Sequence, residues 1–250
     1  MRYAVGVDLG KQADYTAISI VESVPVARTP DGRTPRPTME VVYLKRLRGV
    51  GYPLVIAEVA AMAAWPALHG AGFAVDATGV GRPVVDALRE RIAELHAVTI
   101  TGGENLNNPA PREWSVPKAD LVATVQLLLQ SRRLRIHDHL ADLETLKSEL
   151  LSFGYEYTAS GRMTMAAVSG HDDLVLSVAM AAWLANRDHA NGATAWIDFA
   201  RQQRIKPAQA GVVSLHDART ASFRRQGGDG RLVGVHLVPE RLQPVEPLDF

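Results

Sequence analysis

Two short apolar segments in this chain reach an aspartate and then turn. The first covers residues 3 to 9 and ends at Asp8-Leu9-Gly10; the second, Phe73-Ala74-Val75-Asp76, leads into Ala77-Thr78-Gly79. Apolar runs of this length, bounded by turn residues, read as buried strands. Each carries a carboxylate to the end of a sheet. Between them, residues 15 to 22 form a second strand rich in β-branched residues, after the hairpin-length turn Gly10-Lys11-Gln12-Ala13-Asp14. A loop with Pro, Gly and Arg precedes a third strand at residues 39 to 47. Helical spacing over residues 52 to 68 stops at Gly70-Ala71-Gly72, and a helix from the turn at residues 77 to 83 to about residue 95 leads to a fifth strand near 97 to 101. In a β-β-β-α-β-α-β order the first and fourth strands lie side by side. Asp8 and Asp76 then emerge together at one sheet edge.

The remainder predicts helices and a hairpin. After a polar loop at residues 102 to 112, Ser115-Val116-Pro117-Lys118 reads as a capped helix start with proline in its first turn, and the helix runs to about residue 131. An amphipathic helix spans roughly residues 140 to 152, residues 154 to 168 alternate as a hairpin around Ala159-Ser160-Gly161, and a last helix runs from Asp172 to near Asn186. The pattern decays after His189. The expected organisation is one α/β domain over residues 1 to 190 and an extension over 191 to 250, ordered only in part.

Composition narrows the chemistry. With no cysteine in 250 residues, disulfides, thiolate metal sites and cysteine nucleophiles are excluded, and any metal must sit on oxygen or histidine. The 27 basic and 27 acidic residues give a formal charge of +0, so nucleic-acid contact must come from local patches. No apolar run approaches the ~18 residues of a membrane span, and Met1-Arg2-Tyr3-Ala4-Val5 leads into a strand rather than a signal peptide. A soluble, cytoplasmic protein is expected.

A third acidic position, Asp172-Asp173, opens the last helix. Each acid alone has a plainer explanation: Asp8 begins a turn, Asp76 caps the following helix, and one of Asp172 and Asp173 caps its own. Together at one sheet edge they have another. Carboxylates clustered without basic partners repel one another and resist desolvation unless a divalent cation neutralises them, and hard oxygen ligands select Mg²⁺ or Mn²⁺. Two such ions about 4 Å apart activate water, hold a scissile phosphate and stabilise its leaving oxygen.

Three stretches then resemble the nuclease motifs of viral large terminase subunits, in order and spacing. They are Gly6-Val7-Asp8-Leu9-Gly10 with Asp14-Tyr15-Thr16-Ala17, Val75-Asp76-Ala77-Thr78-Gly79-Val80-Gly81, and Gly170-His171-Asp172-Asp173-Leu174-Val175. Val116-Pro117-Lys118 with Leu121, and Glu149-Leu150 before the hairpin, also look familiar, so the resemblance covers residues 3 to 187. It implies a ribonuclease H-like mixed five-stranded sheet flanked by helices, with the accessory hairpin and C-terminal extension. It also implies two-metal-ion endonucleolytic cleavage of double-stranded DNA during bacteriophage genome packaging, with a packaging ATPase and a portal or small terminase subunit as partners. The chain lacks a Gly-x-x-x-x-Gly-Lys-Ser/Thr loop and so carries no ATPase motor motif of its own. A junction-resolving nuclease of the same fold and an actin-like ATP-binding protein, suggested by Val7-Asp8-Leu9-Gly10, are the alternatives.

Asp8, Asp76 and Asp173 are the expected metal ligands and catalytic acids, with Asp172 in reserve as the helix cap. Lys118, by its position in the resembling family, and His171, beside the acids, are accessory candidates. Arg33 and Arg36 in the second-to-third-strand loop, and Arg132 and Arg133 at a helix end, join Lys118 as candidate DNA contacts.

Overall fold

The computed structural model describes residues 1–10, 14–28, 35–79, 81–157, 163–167 and 171–188. The extension over residues 191 to 250, Arg33 and the hairpin tip lie outside the described residues. Strand β1 (Tyr3–Asp8) pairs antiparallel with β2 (Tyr15–Val24), and β2 with β3 (Thr38–Arg48). Helix α1 (Tyr52–Ala63) and a 3-10 turn at Pro66–Leu68 return the chain so that β4 (Gly72–Asp76) lies parallel to β1. Helix α2 (Gly81–Arg89) then leads to β5 (Leu95–Thr101), parallel to β4. The predicted five strands thus stand in the order β5-β4-β1-β2-β3, the ribonuclease H-like arrangement.

Three short strands widen this sheet to eight. Strands β6 (Asn107–Ala110) and β7 (Glu113–Pro117) add to β5, and β8 (Leu134–Ile136) adds to β3. The expected helix start at Ser115 is therefore a strand: Ser115 pairs with Thr99, Val116 is buried, and Pro117 is the N-cap of α3 (Lys118–Gln130) without a side-chain cap bond. Proline suits that junction because its fixed φ serves an extended residue just before a helix. The helix predicted over residues 52 to 68 stops at Ala63, where Trp65 turns extended before Pro66. The next helix stops at Arg89, six residues earlier than expected, and Arg91 and Ile92 donate back to the Leu88 carbonyl.

Helix α4 (Leu143–Ser152), the hairpin of β9 (Phe153–Tyr157) and β10 (Met163–Ala167), and α5 (Asp173–Asp188) complete the described chain. Two apolar clusters sandwich the sheet. One gathers Ala4, Ala17, Leu44, Ala74 and Val98 against α3, α4 and α5, and the other packs Val5, Val7, Ile18, Phe73 and Val75 against α1 and α2. Alternation along each strand divides the residues between faces. Helix α5 is buried on nearly every side from Leu174 to Asn186, as its continuous apolar sequence requires. Among the described residues no helix is long and apolar enough to cross a membrane.

Candidate active site

Strand register assembles the first half of the site. Val7 pairs with Val75, so Asp8 and Asp76 end adjacent parallel strands, while Asp8 pairs with Ala17 and Ala17 with Arg46. The row Asp76, Asp8, Ala17, Arg46 crosses four strands at about 4.8 Å per step. Its parity follows Ala74, Ala4 and Leu44, which puts all four on the α5 face. Gly6, two residues before Asp8, lets α5 come down onto this row: a Cβ there would overlap the Ser177 carbonyl oxygen. The start of α5, with Asp172 and Asp173, consequently sits over the two strand acids.

Turns shape the space around them. The Gly10 amide donates to Thr16 Oγ1 at 3.2 Å, and the Tyr52 hydroxyl donates to the Gly10 carbonyl at 3.2 Å, which fixes the exit from β1. After β4 the Thr78 amide donates to Asp76 Oδ1 at 2.8 Å, and Thr78 Oγ1 accepts from the Ile100 amide at 2.9 Å. Gly81 opens α2 directly beneath, where a Cβ would overlap the Asp76 carbonyl. Asp76 thus accepts a bond two residues ahead, the Asx-turn pattern expected of an acid before a helix.

The helix acids are paired with cations. Lys118 Nζ donates to Asp172 Oδ2, and Arg46 Nη2 donates to Asp173 Oδ2 at 2.8 Å. His171 Nδ1 stands 3.7 Å from the same Asp173 oxygen, its ring edge-on to Tyr15 at 5.4 Å. The cap of α5 comes from elsewhere: Glu149 of α4, buried, accepts from the Val175 amide at 3.0 Å and also from the Leu174 amide. The expectation that Asp172 spends its carboxylate on the helix start is thereby displaced by Glu149. Asp172 faces Lys118 instead, and the reason for ranking Asp173 above it disappears.

Electrostatics follow the same division. Burial pushes the Asp8 carboxyl well above the usual range, the charges of Asp76, Asp173 and Asp172 push further, and Lys118 opposes them. Burial also raises Asp76, partly offset by its bonds from Thr78, and raises Glu149, partly offset by the Val175 amide and Arg46. Among the described residues no three carboxylate or imidazole groups close around one point. Lys118 and Arg46 each hold one oxygen of a helix acid. The donors nonetheless suit a hard divalent cation: a buried carboxylate whose ionised form is penalised by neighbouring carboxylates is stabilised by an ion among them.

The structure brings together Asp8, Asp76, Asp172, Asp173, His171 and Lys118, all anticipated. It does not bring Arg36, Arg132 or Arg133 there. Arg133 donates twice to the Pro37 carbonyl, at 2.9 and 3.1 Å, beside the Met39–Leu134 pair. That level of the sheet lies roughly 20 Å from the row of acids, counting strand residues. Burial lowers the Arg133 pKa to about 10, with Arg36 nearby adding repulsion. Arg132 closes α3 in the left-handed conformation, φ 56°. Two residues of the site escaped the sequence reading, Arg46 and the capping role of Glu149. Alternation from Met39 and Val41 predicts Arg46 on the opposite face, but the irregularity where Val21 pairs with Val41 and Ile20 with Tyr43 shifts the parity, so Leu44 and Arg46 turn inward.

No protein-family model matches the chain. The large terminase subunit of Thermus virus P23-45 is 29% identical over 181 residues, and that of Thermus phage G20c is 28% identical. Each match takes in 72% of this chain and 31% of the relative, so the chain spans less than a third of those proteins. The large terminase nuclease from thermophilic phage G20c, solved with bound magnesium, superposes with a TM-score of 0.52 at 25% identity. This chain is similar to phage large terminase nucleases. The superposition covers 72% of this chain and 79% of the G20c terminase nuclease, and the same nuclease with bound cobalt gives the same figures. The likeness to a terminase nuclease domain therefore takes in most of the chain.

Proposed function

We propose that this chain is a divalent-metal-dependent endonuclease that cuts double-stranded DNA during phage genome packaging, as the nuclease part of a large terminase. The observation that carries the reading is the convergence of Asp8 and Asp76, on adjacent strand ends, with Asp172 and Asp173 at the start of α5. Likeness to a terminase nuclease that binds magnesium supports it. A packaging ATPase and a portal or small terminase subunit are the partners this reading implies.

Asp8, Asp76 and Asp173 would hold the metal, two ions in this reading, with Asp172 as a further ligand. When bound, Mg²⁺ or Mn²⁺ supplies Lewis acidity toward the scissile phosphate and lowers the pKa of water. The chain's own residues set the stage. Asp8, between Asp76 and the helix acids, holds the centre of the negative field. Lys118, partly exposed, neutralises Asp172 in the free protein and holds a phosphate oxygen once the helix acids are otherwise engaged. His171, half exposed and pinned to Tyr15, orients water at the rim.

The test is a plasmid-nicking assay with the full chain, with and without Mn²⁺, on linear duplex and on a four-way junction. Metal-dependent cutting of the linear duplex is expected. Strong preference for the junction would move the chain to the resolvases, and no cutting of either would remove the nuclease reading.

A further inference from the structure

Among the described cations of the site, Arg46 is held by more partners than Lys118. Its guanidinium lies 3.7 Å from the Tyr15 ring centroid, donates to Asp173 Oδ2 at 2.8 Å, and stands 3.7 Å from Glu149 Oε1. Its side chain is 13% exposed, against 31% for Lys118. Its own backbone amide donates to Asp142 Oδ2 at 3.2 Å, tying the end of β3 to the start of α4. A flat guanidinium with a ring on one face and two carboxylates at its edge has a single orientation, whereas a lysine ammonium on a flexible stem has many.

This arrangement is poor as a purely structural ion pair. Arg46 Nε is buried with no hydrogen-bond partner, and Glu149 Oε1 is likewise without one. Buried pairs with unmet groups contribute little net stability, and apolar replacements often serve as well. What the geometry does secure is Asp173. An aspartate carboxylate rotates broadly about χ2, so an acid meant to meet an ion in one pose needs a partner to hold it. Arg46 takes Oδ2 and leaves Oδ1. Glu149 completes the link, since the same carboxylate that steadies Arg46 caps α5 at Val175.

We propose that Arg46 is a positioning residue of the cleavage site, clamped between Tyr15 and Glu149 so that it fixes the Asp173 carboxylate and weakens the site's hold on divalent cations. The proposal rests on the nuclease reading above and assigns one further residue to that site. It separates two effects. Orientation governs the cutting rate once metal is saturating; the positive charge governs how much metal is needed.

The experiment compares wild type, Arg46→Lys and Arg46→Gln of the full chain in two readouts: the Mn²⁺-induced rise in melting temperature without DNA, and the cutting rate at saturating Mn²⁺. Arg46→Lys keeps the charge without the fork, so its half-saturating Mn²⁺ stays within about threefold of wild type while its cutting falls by about a hundredfold, the scale of a misplaced group. Arg46→Gln loses the charge, so its half-saturating Mn²⁺ drops by about tenfold while cutting falls at least as far. Wild-type cutting by Arg46→Lys would overturn the proposal. So would weaker Mn²⁺ binding by Arg46→Gln in step with its lost cutting. If Arg46→Gln fails to fold, Arg46→Lys decides alone. Should wild type not cut at all, the nuclease reading fails and the positioning role with it, while tighter or weaker Mn²⁺ binding by Arg46→Gln still tests separately whether Arg46 weakens the hold on divalent cations.

Discussion

The strand acids and the helix acids of this site live in different surroundings. Asp8 and Asp76 end two central strands, buried, with raised pKa values, and no Lys or Arg bonds to them among the described residues. Asp172 and Asp173 open a helix and each holds a cation, Lys118 or Arg46. The difference divides the work. The strand pair fixes two carboxyls whose ionised form is penalised, and each helix acid is balanced by a cation until something exchanges with it. Strands fix the first pair through backbone register, whereas side-chain partners fix the second.

Removing a strand acid should break the site most severely. Asp8→Asn or Asp76→Asn is expected to lower metal-dependent nicking by at least about a thousandfold while the fold survives, since the charge that holds the ion is lost and repulsion is relieved. Undiminished nicking by either purified variant would contradict the assignment.

Packing comes next, because the helix acids depend on how closely α5 approaches. Gly6→Ala places a methyl group against the Ser177 carbonyl and should destabilise the protein by about 1–3 kcal/mol, the range for overpacking a core, in urea unfolding. Glu149→Ala strips the first turn of α5 of its acceptor and should cost about 1–2 kcal/mol. Asp172→Asn should cost far less stability than Glu149→Ala, since it caps nothing. The reverse order in melting experiments would return the cap to Asp172.

The pH dependence of the metal-free protein sharpens the contrast further. Asp8 and Asp76 have folded pKa values above the ordinary 3.8, so the folded state binds more protons than the unfolded one from there upward. Stability is therefore highest below the ordinary value and is lost as pH rises through the raised ones. Metal-free wild type should melt lower at neutral pH than in mild acid by this contribution, and Asp8→Asn should flatten the profile. The smallest effect is expected at the opposite end of the sheet. Arg132→Ala should change nicking by less than about twofold, as surface charges remote from a site do.

Much of this was legible in the sequence, because it rests on local patterns. The five central strands follow from alternation and turn residues, and Asp8, Asp76, Asp172 and Asp173 declare themselves at element ends. Two of the added strands, β7 and β8, were hidden for a physical reason. β8 is three residues long, and Ser115-Val116-Pro117 has the chemistry of a helix start while its backbone is held extended by β5. Arg46 was hidden by the shifted parity of β3. The cap of α5 was hidden because its acceptor, Glu149, lies in another helix, 26 residues away from Val175. Long-range contacts between side chains leave no period to read.

Whether Asp8 anchors a metal site for cutting DNA is decided by a Mn²⁺ titration of nicking by wild type and Asp8→Asn. Wild type should show saturable, metal-dependent nicking and none without metal, and Asp8→Asn should nick at least about a thousandfold more slowly at any Mn²⁺ concentration that leaves it folded. Equal nicking by both proteins would contradict it.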